Sequence, residues 1–318
     1  MVDKGDIKVS VLCLAYNHEK YIRKTLEGFV MQKTNFAFEV LVHDDASTDS
    51  TADIIREYEK KYPEIIKPIY QIENQHSKKT PITRTYLLPN AKGKYLAWCE
   101  GDDFWTDPNK LQKQVDFLDD NPEYTVCANK AIFHNVQTNT DFYFPNIDDD
   151  CDYSIKNIIL HGGGLFATCS LMIRRDIYLK KPSCFNAKGF GDYQIYLYGS
   201  FCGKVRCLSD TMSQYNSGVA GSWTQRKTDS NEKKISHYLE FISMLNNVDK
   251  YYDHKYHRIV NKKISSLEYV IFKLTNDKKQ FNFLQLFKFA LWELRSKIST
   301  FLNRYCKLIV NIKNKILN

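Results

Sequence analysis

Four short apolar runs separated by amphipathic segments constrain this chain most. They are Ile7–Ala15, Phe38–His43, Ile65–Tyr70 and Tyr95–Cys99, each of strand length. Between them, His18–Gln32 carries Tyr21, Ile22, Leu26, Phe29 and Val30 at helical spacing, and Thr51–Lys61 does the same with Ile54, Ile55 and Tyr58. Ser50 or Asp49 caps the second of these helices. Pro81–Asn90 reads as another helical stretch, and Asp107 as the cap of a helix over Pro108–Asp120. Strands alternating with helices specify a parallel sheet with right-handed crossovers. In such sheets ligands collect beyond the C-terminal ends of the strands.

The residues directly after each run are therefore informative. The first run gives way to Tyr16-Asn17-His18, the second to Asp44-Asp45, and the fourth to Glu100-Gly101-Asp102-Asp103. Clustered carboxylates repel one another and are costly to bury without a cation. Hard oxygen donors suit Mg²⁺ or Mn²⁺, ions that commonly join a protein to a diphosphate. The same residues would also make a solvated acidic turn before a helix.

After Asn121-Pro122 the pattern changes. Tyr124–Phe133 and Thr168–Arg174 read as strands, joined by a long irregular segment with Asp148-Asp149-Asp150 and Gly162-Gly163-Gly164. Long irregular stretches are more often substrate loops than scaffold. A helix runs from Gly191-Asp192 to about Cys202, followed by a short strand near Val205–Leu208 and a glycine-bearing loop, Tyr215–Trp223. From about Ser230 the chain reads as helix throughout. Leu284, Phe287, Leu291, Leu294, Ile298, Leu302, Tyr305, Ile309, Ile312 and Ile316 form one apolar stripe. The expected division is 1–228 as a catalytic domain, with halves 1–120 and 121–228, and 229–318 as a basic helical region.

Composition narrows the function classes. Residues 231–318 carry 17 Lys/Arg against 7 Asp/Glu, whereas the rest of the chain is close to neutral. A near-neutral body with a basic tail argues against a nucleic-acid-binding core and points to an anionic surface met by the tail alone. No run approaches the ~18 apolar residues of a membrane span, and Val9–Tyr16 is too short for a leader. Nine scattered cysteines without a C-x-x-C pair suit reduced thiols in a cytoplasm, not a disulfide framework or a cysteine zinc site.

Val-Ser-Val-Leu-Cys-Leu-Ala-Tyr-Asn, then Val-His-Asp-Asp-Ala-Ser-Thr-Asp-Ser-Thr, then Cys-Glu-Gly-Asp-Asp-Phe-Trp-Thr-Asp-Pro-Asn-Lys-Leu together resemble the family-two inverting glycosyltransferases. The resemblance covers 7–120 and thins towards Trp223. It implies a GT-A fold: an α/β architecture with a Rossmann-like, mostly parallel sheet flanked by helices, here with an α-helical C-terminal extension. It implies a hexosyltransferase that uses a nucleotide-sugar donor, UDP-linked by preference, and Mn²⁺ or Mg²⁺.

By the same resemblance, Ala15, Tyr16 and Asn17 hold the nucleoside, and Asp45 reads the base. Glu100, where Asp is usual, and Asp102 belong to the ribose and diphosphate. Asp102 and then Asp103 are the metal ligands. Asp192, at a helix start that favours a carboxylate, is the catalytic base. Thr168–Arg175 resembles the floor of the acceptor site, with His161 and the three glycines at its rim. Many relatives carry Tyr-Arg-x-His in the closing loop, where this chain has Tyr215-Asn216-Ser217-Gly218. Trp223 either covers a sugar face or packs in the core. Arg84 and Lys94 either approach the diphosphate or are ordinary surface charge.

The implied acceptor is a glycan or lipid-linked glycan. The enzyme would be cytoplasmic, with the tail at 284–316 serving as peripheral contact to the inner face of the cell membrane, as a homo-oligomer seam, or as cover for the catalytic domain. The alternatives are a non-catalytic nucleotide-sugar-binding scaffold subunit and a nucleotidyltransferase. Ala15-Tyr16-Asn17-His18 lacks the glycine-rich basic turn that the latter would want.

Overall fold

The four apolar runs become β1 (Val9–Ala15), β2 (Phe38–Asp44), β3 (Ile66–Tyr70) and β4 (Tyr95–Trp98), parallel and in the order β3-β2-β1-β4. In this computed structural model residues 6–187, 190–219 and 230–275 are described, together with 281, 282, 284–286, 288–291 and 294. β2 is buried along its whole length, so its sequence runs apolar on both faces instead of alternating. Helices α1 (Ile22–Val30) and α2 (Thr51–Lys61) make the first two crossovers. Of the positions the spacing predicts, Ile22, Leu26 and Phe29 on α1 and Ile55 and Tyr58 on α2 are buried, whereas Tyr21, Val30 and Ile54 are half-buried.

The N-terminal ends of the strands are fastened by a buried polar knot. Ser10 donates to Glu39 at 2.7 Å, and its hydroxyl accepts the backbone N–H of Lys92 and Gly93 at 3.0 and 2.8 Å. Lys94 lies at this end too, paired with Asp119 at 2.6 Å. It is thus surface charge at the edge opposite the acids. The 81–90 stretch is helical as expected but irregular, a π turn at Thr83–Leu87 followed by a 3-10 turn at Leu88–Asn90.

Helix α3 (Lys110–Asp120) begins two residues later than expected. The Asp107 carboxylate accepts the Asn109 N–H at 2.8 Å, so it seats the turn before the helix instead of capping it. The second half of the sheet is built from β5 (Phe104–Trp105), β6 (Tyr124–Asn135), β7 (Thr140–Phe144), β8 (Cys151–Tyr153), β9 (Met172–Arg174) and β10 (Lys204–Ser217). It continues from β4 as β9-β6-β10-β5, with β9 antiparallel to both of its neighbours and β10 parallel to β6. Helices α4 (Ile155–His161), α5 (Arg175–Tyr178) and α6 (Gly191–Cys202) intervene.

Three expectations are corrected here. Thr168–Arg174 is not one strand: Thr168–Ser170 is a 3-10 turn, and only Met172–Arg174 joins the sheet. The segment between the two expected strands is not irregular throughout, because it contains β7, β8 and α4. The short strand near Val205–Leu208 is a 14-residue strand reaching Ser217, so Tyr215–Ser217 is strand, not loop. Register shifts between Leu208 and Ser213 break its alternation, which conceals its length from a period-two reading.

The chain divides into two compact units, Met1–Val260 and Asn261–Asn318. Helix α7 (Asn231–Tyr251) lies in the first, where Phe241 and His237 pack on Phe190 with ring centroids 4.6 and 4.1 Å apart. The helical run from Ser230 is interrupted before α8 (His257–Thr275), because Asp253 and His254 adopt φ of 48° and 60°. In the second unit Phe272, Phe281 and Phe289 cluster, with centroids 5.3–5.7 Å apart. Most of the 284–316 stripe, and Trp223, lie outside the described residues. Among the described residues no helix is long and apolar enough to cross a membrane.

Gly93 is where the knot is tightest: a Cβ there would lie 2.3 Å from the Ser10 backbone nitrogen. Gly93→Ala should destabilise the protein by ~1–3 kcal/mol through overpacking against backbone. Chemical denaturation measures this, and an unchanged midpoint would contradict the packing described.

Candidate functional site

Three turns meet at the C-terminal ends of β1, β2 and β4, and hydrogen bonds join the β1 end to each of the other two. Asn17, at φ 55°, accepts the Thr48 N–H at 2.8 Å, and its own N–H donates to the Ser47 hydroxyl at 3.0 Å. The Asp45 N–H donates to the Ala15 carbonyl at 2.9 Å, and the Gly101 N–H to the Leu14 carbonyl at 2.8 Å. Ala15 is buried, whereas the Tyr16 ring is 42% exposed and so presents a face to solvent. Asp49 bridges the turns, one oxygen accepting Thr51 N–H at 2.9 Å and the other Glu19 N–H at 3.1 Å.

Asp45 is buried, and its two carboxylate oxygens accept the backbone N–H of Gln75 and His76 at 2.7 and 3.0 Å. It therefore folds the loop after β3 over the sheet edge. A carboxylate has about four acceptor positions, so these bonds leave lone pairs open.

The acidic turn packs against β1 closely enough to require its glycine. A Cβ on Gly101 would stand 2.8 Å from His18 Nδ1 and 3.1 Å from the Ala15 Cβ. The Thr25 hydroxyl of α1 lies 3.0 and 2.6 Å from the carbonyls of Gly101 and Asp103. From the other side, Asn216 on β10 donates its backbone N–H to Asp103 Oδ1 at 2.8 Å and its side-chain amide to the Asp102 carbonyl. Asp103 is 1% exposed, and its Oδ2 is buried without a partner.

The electrostatics follow from this crowding. Burial, with the charges of Asp102, Cys169 and Asp192, pushes the Glu100 carboxyl up to about 8. Burial raises Asp102, while the His18 ring beside it acts in the opposite sense. Burial also drives Asp103 well up, aided by Cys169, Asp102 and Glu100 and opposed by the Asn216 N–H. Burial thus favours the protonated form of these acids, and a cation would favour the ionised form.

Asp192 stands at the start of α6, its Oδ1 accepting the Tyr193 N–H at 2.7 Å. Burial raises its carboxyl despite that bond. Its charge acts on both Glu100 and Tyr196, so it lies within electrostatic reach of both. The Tyr196 hydroxyl in turn donates to the Gly162 carbonyl at 3.0 Å, which seats the glycine segment beside α6. Gly163 and Gly164 have open space where a Cβ would point.

The structure thus gathers Ala15, Tyr16, Asn17, Asp45, Glu100, Asp102 and Asp103 along one sheet edge, with Asp192 electrostatically coupled to Glu100. Sequence reasoning missed Thr25, Asn216 and the 75–76 backbone. Asn216 was visible only as a departure from Tyr-Arg-x-His. Thr25 is an ordinary mid-helix residue with no local signal.

Comparison with known proteins adds identity to this geometry. A profile of the family described as "Glycosyl transferase family 2" matches residues 10–180. An uncharacterized protein of Mycobacterium tuberculosis is 36% identical over 226 residues, covering 70% of this chain and 62% of its own length. The chain thus spans less than two thirds of that relative. The UDP-Glc:alpha-D-GlcNAc-diphosphoundecaprenol beta-1,3-glucosyltransferase WfaP of Escherichia coli is 33% identical over 35% of this chain and 41% of its own. Among solved structures, S. aureus TarS in complex with UDP-GlcNAc superposes with a TM-score of 0.58 at 19% identity, covering 85% of this chain and 72% of that one. The fold is the GT-A arrangement that the motifs implied.

Asn216→Ala keeps the backbone bond to Asp103 but leaves the Asp102 carbonyl unpaired. A lost buried hydrogen bond of this kind costs ~1–3 kcal/mol. The variant should be destabilised accordingly in urea titrations, and wild-type stability would show that the amide does not hold the turn.

Proposed function

The chain belongs to glycosyl transferase family 2, and we propose that it moves a hexose from a nucleoside diphosphate, UDP first, to an acceptor hydroxyl with inversion. The observation that carries this reading is the Glu100–Asp103 turn, with Asp192 acting on it from the start of α6. A UDP-sugar bound to TarS and the donor in WfaP's name support a UDP-linked donor. The acceptor in WfaP's name supports a glycan on a lipid diphosphate. Such an acceptor would bring the reaction to the inner face of the membrane, with the basic C-terminal region as peripheral contact or, through 284–316, as a homo-oligomer seam.

Tyr16 stacks on the base, and Asp45 accepts the imide N–H through a lone pair that the loop leaves open. Ala15 and Asn17 frame the nucleoside, and Glu100 accepts from the ribose. The residues fit a divalent ion: the donors are all carboxylate oxygens, Asp103 keeps one buried oxygen without a partner, and three acids crowd one turn. Asp102, with Asp103 as second acid, would hold Mn²⁺ or Mg²⁺, which would supply charge stabilisation for the departing diphosphate.

Asp192 takes the proton from the acceptor hydroxyl as that oxygen bonds to the anomeric carbon. The bond from that carbon to the diphosphate oxygen breaks on the opposite face, and the nucleoside diphosphate leaves with the bonding pair. A base must be ionised to act. Because burial raises Asp192, transfer should begin to fail with falling pH sooner than for an ordinary aspartate.

Asp192→Asn should keep donor affinity within about twofold and lower turnover by ~10²–10⁴, whereas Asp102→Ala should abolish Mn²⁺-dependent donor binding. Calorimetry with UDP-sugars and single-turnover transfer assays separate the two. Equal loss of binding and turnover in Asp192→Asn would make that residue structural. Donor binding with neither transfer nor hydrolysis would favour a scaffold subunit.

A further inference from the structure

A second cluster of ligating side chains lies away from the sheet, at the corner between α7 and α8. Asp249, in the last turn of α7, is 5% exposed. Its Oδ2 lies 2.7 Å from His254 Nδ1 and 2.7 Å from His257 Nδ1, and the two imidazoles stand nearly perpendicular at 88°. Its other oxygen, Oδ1, is buried with no hydrogen-bond partner. One donor atom from each of the three residues lies within 4.8 Å of the others.

Three features make this more than a capping contact. First, a buried carboxylate satisfied on one oxygen and orphaned on the other is costly to keep. Second, an acid in the last helical turn opposes the helix dipole, and a cation there reverses that penalty. Third, the corner brings His254 round through two successive left-handed residues, Asp253 at φ 48° and His254 itself at φ 60°. Neither is glycine, so the backbone carries strain to return that ring to Asp249. The His254 N–H also donates to the Asp249 carbonyl at 2.9 Å, so main chain and side chain converge on one residue.

The geometry points to a Zn²⁺ site formed by Asp249, His254 and His257, with the fourth position open to water. Two imidazoles and a carboxylate suit a borderline divalent ion, unlike the all-oxygen acids at the sheet edge. Donor atoms around tetrahedral Zn²⁺ stand about 3.3 Å apart. The 2.7 Å pairs reach that spacing by small rotations of side chains of which the two imidazoles are mostly exposed. The ion would staple the α7–α8 corner, and its binding does not depend on the proposed reaction.

The test uses the untagged full-length chain, stripped with a chelator and titrated with Zn²⁺ against a chromophoric competitor. About one equivalent should bind in wild type and equally in Asp102→Ala. His254→Ala should weaken that binding at least tenfold, since loss of even an outer-shell partner of a metal ligand costs ~10–100-fold. His254 is exposed, so its loss should leave the fold intact, which circular dichroism checks. Asp249→Asn should weaken binding likewise, and Co²⁺ in place of Zn²⁺ should give visible bands of tetrahedral nitrogen–oxygen ligation in wild type only. Zn²⁺ binding unchanged in His254→Ala, or no equivalent bound by wild type, overturns the site.

Discussion

The structure depends on packing three carboxylates into one turn at the sheet edge. Glu100, Asp102 and Asp103 come directly after a fully buried strand, so the sheet delivers them to its edge, Asp103 buried and Glu100 and Asp102 half-buried. Burial raises all three, and the Asp102 charge raises Glu100 and Asp103 further. A turn of this kind persists only if its backbone is held from several sides and if something relieves its charge.

The backbone is indeed held from several sides. Gly101 lets the turn lie against β1, Thr25 reaches it from α1, and Asn216 from β10. β1 and β4 belong to the parallel half of the sheet, and β10 to the mixed half, so the turn sits where the two halves join. The nucleoside side is built by linking the turns after β1 and β2, and Asp45 extends it by gathering the loop after β3. Opposite them, α6 supplies Asp192, and Tyr196 ties the glycine segment beside it. Donor-side residues of the proposed reaction thus come from turns of the parallel half of the sheet, and acceptor-side residues from α6 and the glycine segment.

Much of this was legible in the sequence because it rests on local pattern. A strand buried on both faces leaves an unbroken apolar run, and an abrupt stop at acids marks its ligand end. Helix spacing gave α2 to the residue and α1 within a longer expected span. Three further features depend on tertiary structure and leave no such mark. β10 hides its length behind register shifts, so alternation fades although pairing continues. Asp45 to Gln75 and Asp103 to Asn216 are bonds to backbone N–H groups, which any residue type except proline can supply. The α7–α8 corner breaks a helix at Asp253 and His254, where neither glycine nor proline announces a stop.

Burial raises the carboxyls of the acidic turn, and a bound cation would lower them. The most direct test is the proton count on adding Mn²⁺ alone, by calorimetry at pH 7 in buffers of differing ionisation enthalpy. With Glu100 pushed up to about 8, metal binding should release about one proton or more into solution. Binding with no proton release would mean that these carboxylates are already ionised, and the central claim would fail.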